Sequence, residues 1–193
     1  ALQFIPISQI TGTGDGNQFY SLFRDSKGFY WFGGANGLIR FTDPAGERHD
    51  AIWYRMGDKT YPLSHNRIRH IYEDKEQQLW IATDGSINRY DYATRQFIHY
   101  NIVDNTGTYN TNWTYYIFED TAGQLWISTC LGGIFVVDKR KLMQSTSGQY
   151  IAEQNYSVHN GLSGMFINQI IPDNEGNVWV LLYNNKGIDK INP

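Results

Sequence analysis

The sequence predicts an all-β chain built from about four four-stranded antiparallel blades of the β-propeller type. Three observations predict it. A cassette running from Asp to Trp recurs four times. Strand-forming runs stand at matching offsets around every copy. No window as long as an ordinary helix of about 12 residues keeps a clean helical period.

The cassettes are Asp25-Ser26-Lys27-Gly28-Phe29-Tyr30-Trp31, Asp74-Lys75-Glu76-Gln77-Gln78-Leu79-Trp80, Asp120-Thr121-Ala122-Gly123-Gln124-Leu125-Trp126 and Asp173-Asn174-Glu175-Gly176-Asn177-Val178-Trp179. Asp precedes Trp by six residues each time, while the Trp-to-Trp steps are 49, 46 and 53. Constant spacing inside the cassette and variable spacing between copies describe a rigid unit joined by adaptable loops.

Each unit reads as short strands in a fixed order. The first strand precedes the Asp, as in Ile68 to Tyr72 and Tyr115 to Phe118. Asp-x-x-Gly then forms a tight turn, because Asp accepts hydrogen bonds from the backbone just ahead of it and Gly takes the positive φ. The second strand carries the Trp, as in Leu79 to Thr83 and Leu125 to Thr129. A Gly-bearing turn follows at Gly37, Gly85, Gly132-Gly133 and Gly187. The third strands are Leu38 to Phe41, Ile87 to Tyr90, Ile134 to Val137 and Ile188 to Ile191. Fourth strands are weaker: Ala51 to Tyr54, Gln96 to Tyr100 and Tyr150 to Glu153. The helix-favouring stretch Lys139 to Leu142 is expected to be too short to matter.

Four strands in roughly 45 to 50 residues match a propeller blade. The repeats take approximately residues 10–57, 58–103, 104–156 and 157–193, and residues 1–9 read as the last strand of a preceding blade. The fourth repeat lacks a fourth strand, and the chain opens mid-pattern at Ala1-Leu2-Gln3-Phe4. The expectation is a fragment of a larger propeller, with a closed four-bladed ring as the alternative.

Composition narrows the function. Hydrophobic residues make up 41%, which is globular, and aromatics reach 16%. The net charge of −3 argues against a nucleic-acid partner, which needs a basic face. The one cysteine, Cys130, rules out an internal disulfide. No apolar run is long enough to span a membrane. The histidines His49, His65, His70, His99 and His159 stand in no metal-ligand spacing, so no metal and no cofactor is expected. Gly12-Thr13-Gly14-Asp15-Gly16 has no helix signal after it and reads as a loop.

The repeat resembles the two-component regulator propeller repeat, in which Gly-Leu-Ser-x-Asn precedes a strand, Asp-x-x-Gly-x-Leu-Trp-Ile-Gly-Thr follows, and Gly-Gly-Leu-x-Arg-Tyr-Asp ends the unit. Gly161-Leu162-Ser163 and Leu63-Ser64-His65-Asn66 match the opening. Gly132-Gly133-Ile134 and Ile87-Asn88-Arg89-Tyr90-Asp91 match the end. Gln77 in place of the turn glycine, Trp31-Phe32-Gly33-Gly34 and Trp179-Val180-Leu181-Leu182 depart from it. The resemblance implies the periplasmic sensor region of a Bacteroidetes hybrid two-component system. It implies an oligosaccharide ligand, a possible homodimer through the parent protein, and an inner-membrane parent. The membrane helix and histidine kinase would lie C-terminal, outside this chain, so the fragment itself is expected not to be an enzyme.

A residue repeated in every blade serves the blade, so the four Asp and four Trp are read as structural, with each Trp packed between neighbouring blades. Positions where the repeats disagree are the functional candidates. Seven residues before each Asp stand Gln18, Arg67, Trp113 and Phe166; five before stand Tyr20, Arg69, Tyr115 and Asn168. Strand alternation puts both sets on one face, at the channel mouth. Their aromatics suit sugar rings, and Arg67 with Arg69 would favour an acidic glycan. A propeller lyase using His65 or His70 with a metal is one alternative, and a protein-interaction platform is another.

Overall fold

The computed structural model describes residue 6 and residues 18–42, 51–60, 62–146, 148–183 and 186–193. The strand expected over residues 1–9, the Gly12–Gly16 loop and His49 lie outside the described residues.

Blade one contains β1 (Phe19–Arg24), β2 (Tyr30–Gly34), β3 (Gly37–Phe41) and β4 (Ile52–Tyr54), hydrogen-bonded in that order. Blade two repeats it with β5 (Ile68–Glu73), β6 (Leu79–Thr83), β7 (Ser86–Asp91) and β8 (Gln96–Tyr100), after which comes the short β9 (Ile102–Val103). Blade three has β10 (Thr114–Glu119), β11 (Gln124–Thr129) and β12 (Ile134–Asp138), then helix α1 (Lys139–Gln144), β13 (Tyr150–Ile151) and β14 (Gln154–Tyr156). Blade four is three-stranded: β15 (Ile167–Pro172), β16 (Val178–Leu182) and β17 (Ile188–Ile191). The first strands stand side by side, β1 against β5, β5 against β10 and β10 against β15. This is the nearly all-β propeller arrangement that the sequence predicts.

Two local expectations are corrected. The fourth strand of blade three is Gln154–Tyr156, while Tyr150–Ile151 pairs in parallel with Ile102–Val103 and ties blade three to the connection before it. Residues 139–144 do form a helix, capped by the Asp138 carboxylate, which accepts from the Lys141 N–H at 3.0 Å. That helix matters because it buries the Lys139 ammonium.

The cassette explains why each blade forms. In all four, one oxygen of the Asp carboxylate accepts two backbone N–H groups of its own turn. The other accepts the indole N–H of the Trp, at 2.8, 2.9, 2.9 and 3.0 Å from blade one to blade four. Lys27 and Phe29 are the backbone donors to Asp25, and Glu76 and Gln78 to Asp74. The Trp side chain is thus locked to the turn that begins its own strand. Gln77 does not disturb this geometry. It takes φ 61°, close to the 89°, 81° and 87° of Gly28, Gly123 and Gly176, and makes the same turn bond to the Asp74 carbonyl.

The core lies between blades. Trp31 packs with Leu38 and Tyr54 of its own blade and with Ile71 and Tyr90 of the next. Trp80 and Trp126 repeat this against blades three and four. These three indoles are 0–2% exposed, but Trp179 is 43% exposed, with the Lys190 ammonium 5.1 Å from its ring centroid. The expectation of four equivalently packed Trp rings therefore holds for three: no described residue of a further blade covers the fourth.

Polar contacts knit the same seams. Glu73, just before Asp74, accepts the Ser26 N–H and hydroxyl of blade one. Glu119, just before Asp120, accepts the Lys75 N–H of blade two at 2.9 Å. Blades two and three also send a donor to the preceding Asp, the Tyr92 hydroxyl to Asp25 at 2.7 Å and the Lys139 ammonium to Asp74 at 3.1 Å; Lys139 also meets Glu119 of its own blade at 2.7 Å. Burial works against the Lys139 charge, but the two carboxylates outweigh it and hold its pKa above the ordinary lysine value.

Two stability predictions follow from this geometry. Asp25→Ala leaves four donors without an acceptor and costs about 3 kcal/mol in denaturant unfolding. Asp173→Ala costs far less, because the Trp179 indole it holds is open to solvent; equal losses would show that the seam contributes nothing. The left-handed conformation costs a residue with a side chain about 1–2 kcal/mol. Gln77→Gly therefore stabilises by about 0.5–1 kcal/mol after the added chain entropy of glycine. Gly123→Ala, whose Cβ would meet nothing nearer than the Glu119 carboxylate at 3.7 Å, destabilises by about 1 kcal/mol.

Candidate ligand site at the channel mouth

The candidate positions sit where the first strand of each blade meets its second. The residue seven before the Asp gives its carbonyl to the N–H four residues after the Trp: Gln18 to Ala35, Arg67 to Asp84, Trp113 to Cys130 and Phe166 to Tyr183, at 2.8–3.2 Å. These bonds pin the entry of each first strand to the following turn. Two residues later every first strand skips register, between Phe19 and Ser21, Ile68 and His70, Thr114 and Tyr116, and Ile167 and Gln169. Tyr20, Arg69, Tyr115 and Asn168 are thus the bulge residues of four equivalent bulges, a device that re-aims side chains.

The bulge changes which residues share a face. Tyr20, Arg69, Tyr115 and Asn168 converge on a central cleft of about 370 Å³, and the residue after each, Ser21, His70, Tyr116 and Gln169, lines it too, together with Tyr183. Simple alternation groups the bulge residues with Gln18, Arg67, Trp113 and Phe166 instead. Those four are absent from the lining of the cleft. Trp113 lines a second hollow of about 390 Å³ with Asp84, Tyr109 and Leu131. Sequence reasoning missed the second bulge residue and Tyr183, because a bulge leaves no mark in side-chain alternation. The signal for Tyr183 is its place four after the Trp.

The arginines are partly spoken for. Arg69 meets Asp84 through two bonds, Nε to Oδ1 at 2.7 Å and Nη2 to Oδ2 at 3.2 Å, with its guanidinium 4.6 Å from the Tyr115 ring centroid. Burial disfavours the Arg69 charge, yet Asp84 outweighs it and raises the pKa. Arg67 approaches the same carboxylate at 3.9 Å and stays largely in solvent. The fork of Arg69 is thus committed to Asp84, while Arg67 keeps its guanidinium open to solvent.

His70 is a neutral group. Its ring stacks on Tyr116 with centroids 3.9 Å apart, and its Nδ1 accepts the Ile117 N–H, which places the ring proton on Nε2. Burial lowers its pKa to about 4. His65 Nδ1 accepts the Arg67 N–H at 3.0 Å and shapes the entry turn. Burial raises the Cys130 thiol, which keeps it protonated at neutral pH. Among the described residues no three His, Cys, Asp or Glu side chains stand close enough to hold a metal ion.

Blades of this topology, each carrying the Asp–Trp cassette and stacked around a channel, define a β-propeller of the regulator type. The family model described as two component regulator propeller matches residues 13–36, 62–85 and 161–184, so these three segments are repeats of that type. Two crystal structures of the extracellular domain of BT4673 from B. thetaiotaomicron are 98% and 99% identical to it, with TM-scores of 0.95 and 0.96. One is described as part of a candidate one-component system and the other as part of a candidate hybrid two-component system. They cover all of this chain, which spans 26% of theirs. The extracellular domain of BT3049, a candidate hybrid two-component system from the same organism, is 22% identical over 98% of this chain and 26% of its own, with a TM-score of 0.71. Virginiamycin B lyase from Staphylococcus aureus, at 15% identity over 93% of this chain and 54% of its own and a TM-score of 0.60, shares the fold alone. A search of curated proteins returned no match.

The depressed pKa of His70 gives a signed expectation. The unfolded chain takes up a proton near the ordinary value of 6.5, the folded chain only near 4. Stability is therefore lost as pH falls through that window. NMR titration finds the His70 midpoint near 4, and His70→Asn, which keeps an acceptor for Ile117, flattens the loss; a midpoint at 6 or above refutes the buried neutral ring.

Proposed function

We propose that this chain is a ligand-sensing part of the periplasmic region of a hybrid two-component system, and that its ligand is an oligosaccharide. The single observation that carries the reading is the set of aromatic side chains held in the open at one mouth. Tyr20, Trp113, Phe166 and Tyr183 are 40–47% exposed; Tyr20 is the bulge residue of β1, and backbone hydrogen bonds tie Trp113 to Cys130 and Phe166 to Tyr183. Exposed aromatic faces beside hydroxyl and amide groups such as Ser21, Asn168 and Gln169 suit sugar rings, whose faces are apolar and whose edges are polar. The similarity to extracellular domains of two-component systems supports the compartment and the signalling role. The output is a phosphorelay run by kinase parts of an inner-membrane parent. A homodimer of that parent is part of the same reading.

Turnover has less support. The His70 imidazole that a lyase would use as base spends Nδ1 on a backbone N–H.

Isothermal calorimetry of the complete extracellular domain against a panel of oligosaccharides tests the proposal. Heat of binding with at least one glycan, with the glycan recovered unchanged, is the expected result. Absence of heat across the panel, or accumulation of a cleaved product, overturns it. Light scattering of the same domain with and without the bound glycan reads out association.

A further inference from the structure

Blade three differs from its neighbours in a way the repeat does not require. Trp113 has φ 55°, whereas Arg67 and Phe166 at the same repeat position are not in the left-handed region. A bulky residue there is strained, and such strain persists where the surroundings over-determine it. Two backbone bonds do so: the Trp113 N–H donates to the Asp84 carbonyl at 3.1 Å, and its carbonyl accepts the Cys130 N–H at 2.9 Å. The turn beside it carries Leu131, which has no counterpart in the turns of blades one and two and is 51% exposed. Gly132 completes the floor, and a Cβ on it would lie 2.5 Å from the Asn110 carbonyl.

The hollow under Trp113 does not end there. Thr108 and Tyr109 line it and also line a larger hollow of about 530 Å³ further out, which reaches Gln154, Asn155 and His159. The Tyr109 hydroxyl and His159 Nε2 meet at 3.0 Å across the join. The loop carrying Tyr109 is preorganised: the Asp104 carboxylate accepts the Thr106 N–H and hydroxyl and the Tyr109 N–H. Both volumes fall within the ~300–1,000 Å³ of small-molecule sites, so the combined groove exceeds a single sugar ring. Its charged lining is all acidic: Asp84, Asp104 and Glu153, with no Lys or Arg. Arg69 pairs with Asp84 and Lys141 with Glu153, so the lining itself offers an anion no free cation.

We infer that this groove, running from Trp113 past Tyr109 to His159, holds an uncharged linear oligosaccharide longer than one ring. The inner ring lies against Trp113, and the following rings cross Tyr109 toward Gln154 and His159. The inference rests on the oligosaccharide reading and adds to it a place, a length and a charge. The central cleft of Tyr20, Arg69 and Tyr115 is then not the principal site.

The test is calorimetry on the complete extracellular domain. The probes are neutral gluco-, manno-, xylo- and arabino-oligosaccharides of one to six residues, and galacturonate oligomers of the same lengths. One neutral series binds, its affinity rising at least tenfold from one residue to four, and galacturonate oligomers bind at least tenfold more weakly. Trp113→Gly removes the ring and suits the backbone, so the variant melts no lower than the parent while every length binds at least tenfold more weakly. Gln154→Ala combined with His159→Ala abolishes the gain with length and leaves the shortest binding oligomer within twofold. Equal affinity for one and four residues, equal binding of galacturonate, or indifference to Trp113→Gly overturns the groove. If glycans still bind in that case and Tyr115→Ala abolishes the binding, the oligosaccharide reading stands and the groove alone falls. If no glycan binds, both fall together.

Discussion

Everything in this molecule hangs on an aspartate carboxylate placed six residues before a tryptophan. One oxygen closes the turn through two backbone N–H groups, and the other holds the indole. The ring therefore leaves its strand at a fixed angle, and that angle decides where the next sheet packs. The same carboxylate reaches across the seam, to Tyr92 from Asp25 and to Lys139 from Asp74. A single charged group thus sets the turn, the core ring and the spacing of adjacent blades. A buried carboxylate is costly unless its lone pairs are filled, and four donors fill those of Asp25. The requirement for so many donors is also why the cassette tolerates little variation in spacing, while the loops between cassettes vary freely.

The donor from the next blade shows how one geometric need is met by different chemistry. Tyr92 and Lys139 occupy the same place, directly after the third strand. A tyrosine satisfies Asp25 as a neutral donor. A lysine satisfies Asp74 and Glu119 together, with Glu76 a third carboxylate at 3.5 Å, and its burial is sustained by these partners. Helix α1 begins at that lysine, and its cap at Asp138 fixes the backbone from which the side chain descends. In blade four, Pro172 replaces the glutamate of the seam, so the latch seen at Glu73 and Glu119 has no acceptor there.

The blades were legible in the sequence because their signals are local. Asp, Gly and Trp at constant offsets need only a turn and a strand to be understood, and the third strands follow from β-rich runs after glycine. Gln77 shows the strength of that logic: the turn forms without its glycine because the carboxylate and the indole demand it. What the sequence concealed depends on contacts far apart along the chain. The pairing of Tyr150–Ile151 with Ile102–Val103 and the burial of Lys139 carry no periodic mark. The site was half legible. Tyr20, Arg69, Tyr115 and Asn168 do converge, but the bulge that brings Ser21, His70, Tyr116 and Gln169 beside them is a backbone event that alternation misses. The pairing of Arg69 with Asp84 was hidden in the same way, since Asp84 sits near it only once the second turn folds back.

The division of labour between repeats and exceptions follows from the same physics. A position that must serve every seam cannot also be tuned to a ligand, because a change there loosens the blade. Freedom to specialise is left to the mouth, where side chains face solvent and only the backbone is committed. Blade three uses that freedom most. It has the inserted Leu131, the strained Trp113 and the capped helix, and its cassette falls outside the three segments that match the family model. Strain at Trp113 is sustainable because the bonds on either side of it belong to rigid neighbours, the Asp84 turn of blade two and the Cys130 turn of blade three. The rigidity supplied by the aspartate cassettes is thus what lets one blade hold an aromatic ring open to solvent.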